Sequence, residues 1–457
     1  SIAMTHLPAA ERSVLFVAHH FPPMRSAGVE RSAKFVRYLP EFGYAPQVLS
    51  TGAFGGDDAD GVMRSWEPVG LYRRLLNPAA RADPQAASRT RTAGSQAAWM
   101  QALRRLLFVP DSQNTWLPGA AWSALRALRR QPAQLIYTTS PPFSAHLLGR
   151  FLKGQTGLPW VADFRDAWLY APLDPALLTM PYRRELERRL EASVMAAADA
   201  VMTATGTTAQ DLRQRYPQQA EKIRIVTNGF DPADGAPPPE GLVIDERARI
   251  AAEQPEPGTE ETQATVSAPY TNGPLRLVHT GSFAYSHPQR TPLPLLAAWR
   301  RLIELEPVWS ERLELTLVGE LSPDEQSAAA GVARVVGAVD RATALGFQQR
   351  ADVLLIVDHL RPWPASNVPG KLFEYLATGK SLLALCGPGE VQQMVTQLHA
   401  GLCVAPDDID ALDSVLRDLW LQHQEGTLPR VTGSLQAYHR RELTRQLASC
   451  FDEVLDR

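Results

Sequence analysis

Lys371 and Glu374 stand three residues apart in "NVPGKLFEYLATGK", at the start of a stretch with helical spacing. A basic and an acidic side chain at i and i+3 share one edge of a helix. The start of a helix also offers unpaired N–H groups and the positive end of its dipole, both suited to a phosphate. Lys371 would add a mobile positive charge there, and Glu374 would accept hydrogen bonds from hydroxyls such as those of a ribose. A carboxylate beside a bare phosphate would be repelled, so the pair points to a nucleotide. The competing reading is a surface ion pair worth about 0.2–0.5 kcal/mol.

Other polar residues and glycines with chemical potential follow short apolar runs. His19 and His20 follow "SVLFVA", Thr139 and Ser140 end "AQLIYTTS", and Asp163, Arg165 and Asp166 end "LPWVADFRD". Gly281-Ser282, Gly319-Glu320 and Gly337-Ala338 follow three further runs. In open parallel sheets ligands bind beyond the carboxyl ends of the strands, where all of these fall. Glycines there allow a ligand to approach the backbone. Asp163 and Asp166 would meet such a ligand there; alternatively one caps a helix and the other pairs with Arg165. His19 and His20 would meet it too, or one of them is structural. Asn228 and Asp231 in "NGFD" read as shaping a turn.

The elements that must position these residues alternate along the chain. Strand-like runs ("SVLFVAHH", "APQVLST", "AQLIYTTS", "LPWVADF", "AVMTAT", "KIRIVTNG") interleave with helical stretches. One of these, "TTAQDLRQRYP", has Thr207 or Thr208 as its expected cap. The interval from Pro232 to Pro274 then holds eight acidic residues against two arginines, with many prolines, and reads as a linker. Alternation resumes with "LRLVHTG", "LELTLVGE", "ARVVGAV", "DVLLIVD", "SLLALCG" and "LCVAP". The expected fold class is α/β: two Rossmann-like, doubly wound parallel-sheet domains facing a cleft. The expected boundaries are 1–231 for the first domain, 232–274 for the linker, 275–434 for the second domain and 435–457 for a C-terminal helix packing back on the first.

With 457 residues the chain is long enough for two such domains. Its net charge of −3 gives no general affinity for nucleic acid. Cys386, Cys403 and Cys450 are too few and too scattered for a disulfide framework or a zinc site, which fits a reducing cytoplasm. No metal and no cofactor is expected. No apolar run reaches the roughly 20 residues needed to span a bilayer. No secretory signal is evident, and the three residues before Met4 read as an expression leftover. The segment from Arg64 to Arg130 holds eleven arginines against three acids, interleaved with tryptophans and leucines. Within it, "WMQALRRLLFVP" has the spacing of an amphipathic basic helix. Such a helix would lie on an anionic membrane surface, or pack on the first sheet with its arginines in solvent.

Taken together, "FPPMRSAGVERSAKFVRYLPEFGY", "SPPFSAHLLG" with "LPWVADFRDAW", "KIRIVTNGFD", "LVHTGSF", "LTLVGE" and "VPGKLFEYLATGKSLLAL" resemble the family 4 glycosyltransferases, retaining enzymes of the two-domain GT-B fold. The resemblance implies a nucleotide-sugar donor held mainly by the C-terminal domain and an acceptor held mainly by the N-terminal one. Glu374 falls on the family's ribose-binding glutamate. Gly281 and Arg290 fall near the segment that holds the diphosphate, with Ser282 beside them and Lys371 placed to assist. Gly337, Ala338 and Val339 would hold the base through backbone groups. The loop and first turn formed by Ser366, Asn367, Val368, Pro369, Gly370, Lys371 and Leu372 would complete the donor site, and Gly28 would bring backbone N–H groups toward the diphosphate. Asp163, Asp166, Lys371 and Arg290 are the implied catalytic set. His19, His20, Ser140 and Arg165 are the implied acceptor set. Three positions depart from the family pattern: Ser366 replaces a glutamate eight residues before Glu374, Ala27-Gly28 replaces a glycine pair, and the Asp163-Arg165-Asp166 set replaces a histidine.

The implied activity is transfer of a hexose-type sugar from a nucleotide-diphosphate-sugar to a hydroxyl on a glycan or lipid-linked acceptor. It would serve bacterial polysaccharide or glycolipid synthesis, in the cytoplasm or at the inner face of the plasma membrane. The alternatives are a nucleotide-sugar 2-epimerase of the same fold and a pseudoenzyme that binds the nucleotide-sugar without turnover.

Overall fold

The computed structural model describes residues 12–24, 27–53, 55, 61–68, 108–170, 180–232, 273–287 and 289–457. Most of the acidic linker and the stretch 99–107 of the expected basic helix lie outside the described residues. The chain divides into two compact units, Ser1–Gly229 together with Gln436–Arg457, and Phe230–Leu435.

The first unit is built on a seven-stranded parallel sheet. Its strands are β1 (Arg12–Val17), β2 (Tyr44–Thr51), β3 (Val62–Ser65), β4 (Leu135–Ser140), β5 (Trp160–Phe164), β6 (Ala200–Thr203) and β7 (Ile223–Ile225), in the order β3-β2-β1-β4-β5-β6-β7. The second unit holds a six-stranded sheet of β8 (Leu275–Thr280), β9 (Leu313–Val318), β10 (Arg334–Gly337), β11 (Val353–Val357), β12 (Ser381–Leu385) and β13 (Gly401–Val404). Its order is β10-β9-β8-β11-β12-β13, with every strand pair parallel. Both sheets reverse direction of growth between their first and fourth strands, β1/β4 and β8/β11. Such a switch point opens a crevice beyond the strand ends.

The runs that form the central strands are apolar at nearly every position because helices cover both faces of each sheet. β4, β5, β11 and β12 are buried from end to end. One face of the first sheet packs on the helices Leu117–Arg130 and Ser144–Thr156 through Trp116, Leu148, Leu152 and Trp160. The other face carries Phe16, Tyr137 and Val161 against Leu443, Leu447 and Phe451 of the helix Arg440–Leu455. That helix is tied to the sheet's first two strands by Asp452, which accepts from Arg12 and from Tyr44, each at 2.6 Å. In the second unit the core gathers around Trp299, Leu295 and Leu302 from one helix and Leu315, Leu317, Leu355 and Leu383 from the sheet.

Two local readings are corrected. The helix Gly206–Arg215 is capped by Thr205, whose hydroxyl accepts from Thr208 N–H at 3.4 Å, so Thr207 and Thr208 lie inside it. β3 lies at the start of the arginine-rich segment and was not expected: it is four residues long and, among the described residues, pairs with β2 alone. By contrast, the helix Gly370–Ala377 ends as expected, with Gly379 at φ 68° taking the left-handed conformation that closes helices without strain.

Candidate functional site

In the second unit three adjacent strand ends meet as bare backbone. A β-carbon on Gly319 would lie 2.5 Å from the carbonyl oxygen of Gly281, and Gly319 forms a bridge to Gly337. Gly281 and Gly319 have φ of 108° and 148°, conformations open to glycine. Lys371, in the first turn of the helix Gly370–Ala377, reaches back over this row. Its Nζ would be 2.8 Å from a β-carbon on Gly281, and it donates to Thr280 O at 2.9 Å. His279 Nε2 lies 3.4 Å from the same nitrogen. Burial, then the positive charge of Arg290, pull the Lys371 ammonium down to about 7.

Lys371 and Glu374 do not pair with each other. The Glu374 carboxylate receives Arg341 Nη2 at 3.0 Å, at the start of the neighbouring helix Arg341–Arg350. Below them the ring of His279 is buried, its Nδ1 bonded to Leu355 O at 2.8 Å and its face stacked on Phe283. Burial and then Lys371 hold His279 well below the usual imidazole range, so it is neutral. Tyr375 ties the helix to the same strand end by accepting from Thr280 N–H at 2.9 Å.

Beyond β11 sits a charged group that the sequence did not single out. Asp358 is buried and receives both ends of the Arg361 guanidinium, at 2.8 and 3.2 Å, with Arg290 Nη2 at 3.6 Å. Burial raises the Asp358 carboxyl, but the bonds and charge of Arg361, then Arg290, hold it below the ordinary value. Arg290 Nε is buried with no partner among the described residues. His287 and His359 stack at 4.2 Å beside this group, and burial followed by nearby arginines lowers both, His359 to about 4. The loop onward to Lys371 is pinned at Ala365, which accepts from Glu390 N–H and donates to Pro388 O. Ser366 is buried, Asn367 exposed, Val368 and Gly370 half-buried, and Pro369 caps the helix that buries Leu372. Ser282 exchanges a hydroxyl bond with Ser286 at 3.0 Å. Ala338 is exposed and Val339 half-buried, just ahead of the helix-capping Asp340.

In the first unit the carboxyl ends of β1, β4 and β5 carry the expected polar residues, but their partners differ from expectation. Asp163 is fully buried and receives Arg31 through Nε at 3.1 Å and Nη2 at 3.0 Å, Tyr137 Oη at 2.7 Å and Thr139 Oγ1 at 3.1 Å. Arg31 also donates to the carbonyls of Val226 and Thr227, so it ties β5 to the chain after β7. Arg165 pairs with Asp166 at 3.3 Å. Its guanidinium lies over Gly28, where a β-carbon would be only 1.0 Å from Nη1. His19 is buried against Glu67 at 3.0 Å and edge-on to both His20 and Trp116. Ser140 is buried and His20 half-buried.

The structure therefore brings Gly281, Lys371 and Arg290 to one switch point, and Gly28, Arg165 and Asp166 to the other unit's strand ends. The sequence reading missed Asp358, Arg361, His279 and Arg341. Asp358 does end a strand, so the strand-end rule alone would have found it. Among the described residues no group of three His, Cys, Asp or Glu side chains is placed to hold a metal ion. No helix among them is long and apolar enough to cross a membrane.

Two parallel sheets of this order, each with a switch-point site, make the chain a GT-B fold. Residues 27–234 match the family model Glycosyltransferase Family 4. Sucrose-phosphate synthase from Thermosynechococcus elongatus superposes with a TM-score of 0.61 at 15% identity, covering 97% of this chain and 99% of that one. HepE of Anabaena, in complex with UDP, gives 0.55 at 12% identity over 96% and 100%. UDP-GlcNAc 2-epimerase from Neisseria meningitidis, bound to UDP-GlcNAc, gives 0.52 at 11% identity over 96% and 100%. Comparison with curated proteins gives no match.

Proposed function

We propose that the chain is a retaining glycosyltransferase that moves a hexose-type sugar from a nucleotide-diphosphate-sugar to a hydroxyl of a glycan or lipid-linked acceptor. The observation that carries this reading is the convergence of Lys371, Arg290 and the amino end of the helix Gly370–Ala377 beside a row of bare strand-end backbone. Peptide N–H groups and two cations suit a diphosphate, and the row itself carries no side chain. As the bond from the anomeric carbon to the phosphate oxygen breaks, negative charge grows on the departing diphosphate. Each well-placed donor at such a position typically contributes about 2.7–4 kcal/mol. The acceptor oxygen bonds to the anomeric carbon on the same face, and its proton passes to a phosphate oxygen. That route needs no metal.

In this reading Glu374 holds the ribose, the Gly337–Val339 turn the base, and Gly281, Ser282 and the Ser366–Leu372 stretch the rest of the donor. Arg165, Asp166 and His20 of the first unit serve the acceptor; Ser140, fully buried with its hydroxyl donating to Asp163 O at 3.5 Å, supports them from beneath. Asp163 and His19 act from behind them, since their polar atoms face Arg31 and Glu67. The test is calorimetry of UDP, GDP, dTDP and ADP with the wild-type chain and with Lys371→Ala. One nucleotide should bind, and the variant should weaken it at least tenfold; flat responses to all four defeat the reading. Incubating the sugar nucleotide alone separates the alternatives, because only an epimerase converts it without an acceptor.

A lipid-linked acceptor is favoured by the outer surface of the first unit. Trp66 and Trp122 are 62% and 63% exposed, and Trp66 O abuts Gly119, one turn from Trp122. The helix Leu117–Arg130 buries Ala120 and Ala124, contains no acid, and presents Arg126 over the Trp122 ring at 5.1 Å. Exposed tryptophans among arginines suit an anionic lipid surface. Sedimentation with phosphatidylglycerol vesicles, absent with phosphatidylcholine vesicles, would support it; equal behaviour with both would not.

A further inference from the structure

The hydrogen-bond inventory of Lys371 is complete for an amine and incomplete for an ammonium. His279 Nδ1 faces Leu355 O at 2.8 Å, and a carbonyl can only accept, so Nδ1 carries the ring's proton. Nε2 is therefore an acceptor, 3.4 Å from Lys371 Nζ, and Thr280 O is a second at 2.9 Å. Two acceptors match the two N–H bonds of a neutral amine. Among the described residues a third N–H has no acceptor: Glu374 meets Arg341 through Oε1 and forms no ion pair with Lys371. A phosphate oxygen would supply the missing one.

We propose that Lys371 takes up a proton when the diphosphate of the sugar nucleotide arrives, and that His279 is the positioning residue that keeps it ready to do so. The inference rests on the donor reading given above. The titratable and charged groups around Nζ are His279 on β8, Arg290 on the following loop and Glu374 on its own helix. Arg341 lies behind Glu374, and Asp358 and Arg361 lie behind Arg290. Without a ligand, burial and Arg290 both disfavour the charged amine, bringing it to about 7, while Glu374 opposes them. A diphosphate reverses that balance. The bound form then titrates higher than the free form, so binding is strongest at low pH and weakens as pH rises through 7.

The experiment is calorimetry of the full chain with UDP-glucose, whose diphosphate diester has no group titrating near neutrality. At pH 7, comparison of PIPES and Tris buffers should show uptake of about half a proton, and Kd should rise about fivefold from pH 7 to pH 8. Lys371→Arg, which cannot lose its proton, should still bind, with no buffer dependence and less than a twofold change over that range. His279→Leu removes the acceptor facing Nζ but neither the burial nor Arg290, so proton uptake should persist while UDP-glucose binds several-fold more weakly at pH 7; unchanged affinity would remove His279 from the positioning of Lys371. UDP-glucose binding with equal heats in both buffers overturns this inference and leaves the donor reading standing. Uptake that survives in Lys371→Arg overturns it as well, by placing the proton elsewhere. Failure of UDP-glucose and of all four nucleotides to bind overturns the donor reading and this inference together.

Discussion

The guanidinium of Arg165 occupies the space that a side chain on Gly28 would fill, its Nη1 1.0 Å from the position of the missing β-carbon. Gly28 sits in the first turn of the helix Ala27–Tyr38, where alanine would ordinarily favour the helix by up to about 1 kcal/mol. Gly28→Ala should therefore fold normally while displacing Arg165 from its place beside Asp166. Acceptor KM should rise at least fivefold with melting temperature nearly unchanged. In an Arg165→Ala background the same change should cost nothing further, because the clash has gone. Steady-state kinetics on the four-member cycle checks this, and additive effects would contradict it.

Asp163 and Arg31 form a fully buried, bidentate pair. Removing one charge strands the other, an error that typically costs 3–5 kcal/mol. Asp163→Asn should lower stability by about that amount in urea denaturation, whereas replacing both residues with apolar ones should cost far less. If Asp163→Asn instead keeps full stability and loses only turnover, the carboxylate belongs to the chemistry.

Glu374 meets Arg341 through Oε1, which leaves Oε2 to accept from a ribose. Glu374→Gln should weaken UDP about tenfold, in line with roughly 1.5 kcal/mol for a hydrogen bond to a charged group, and leave pyrophosphate affinity unchanged. Arg341→Ala should leave UDP binding equal or tighter, since that exposed pair contributes little. A parallel loss of UDP and pyrophosphate affinity in Glu374→Gln would remove the carboxylate from the ribose.

Acid should destabilise the chain through its buried histidines. His146 is lowered to about 3 by burial, and its Nε2 has no partner among the described residues. Its folded value lies below the unfolded one of about 6.5, so its contribution is full above that pH and is lost as pH falls below it. Between pH 7 and pH 5 this amounts to about 2 kcal/mol for one such histidine. His146→Phe should shrink the stability difference between those two pH values by about that much; an unchanged difference would place the effect elsewhere.

What the sequence made legible, and what it hid, follow from distance along the chain. Unbroken apolar runs such as "VLLIV" and "SLLAL" announce strands covered on both faces, and the residues after them must line the strand ends. Lys371 and Gly281 were found in that way. Partnerships across the fold were not, because periodicity carries no information about them. Arg31 meets Asp163 from 132 residues away, and His279 meets Lys371 from 92. The neighbouring charge drew Glu374 toward Lys371 on paper; in the fold it answers to Arg341 from another element. β3 escaped notice because four residues interrupted by Arg64 show too little alternation to stand out among arginines.

The row formed by Gly281, Gly319 and Gly337 has one more implication, for divergence. A floor with no side chains offers mutation nothing to trim or recolour, and a methyl added at Gly319 collides with its neighbour's carbonyl. On the donor reading proposed above, a relative that takes a different sugar nucleotide would differ at the rim, in the segments around His287 and His359. Directed evolution aimed at new specificity should randomise those two segments first.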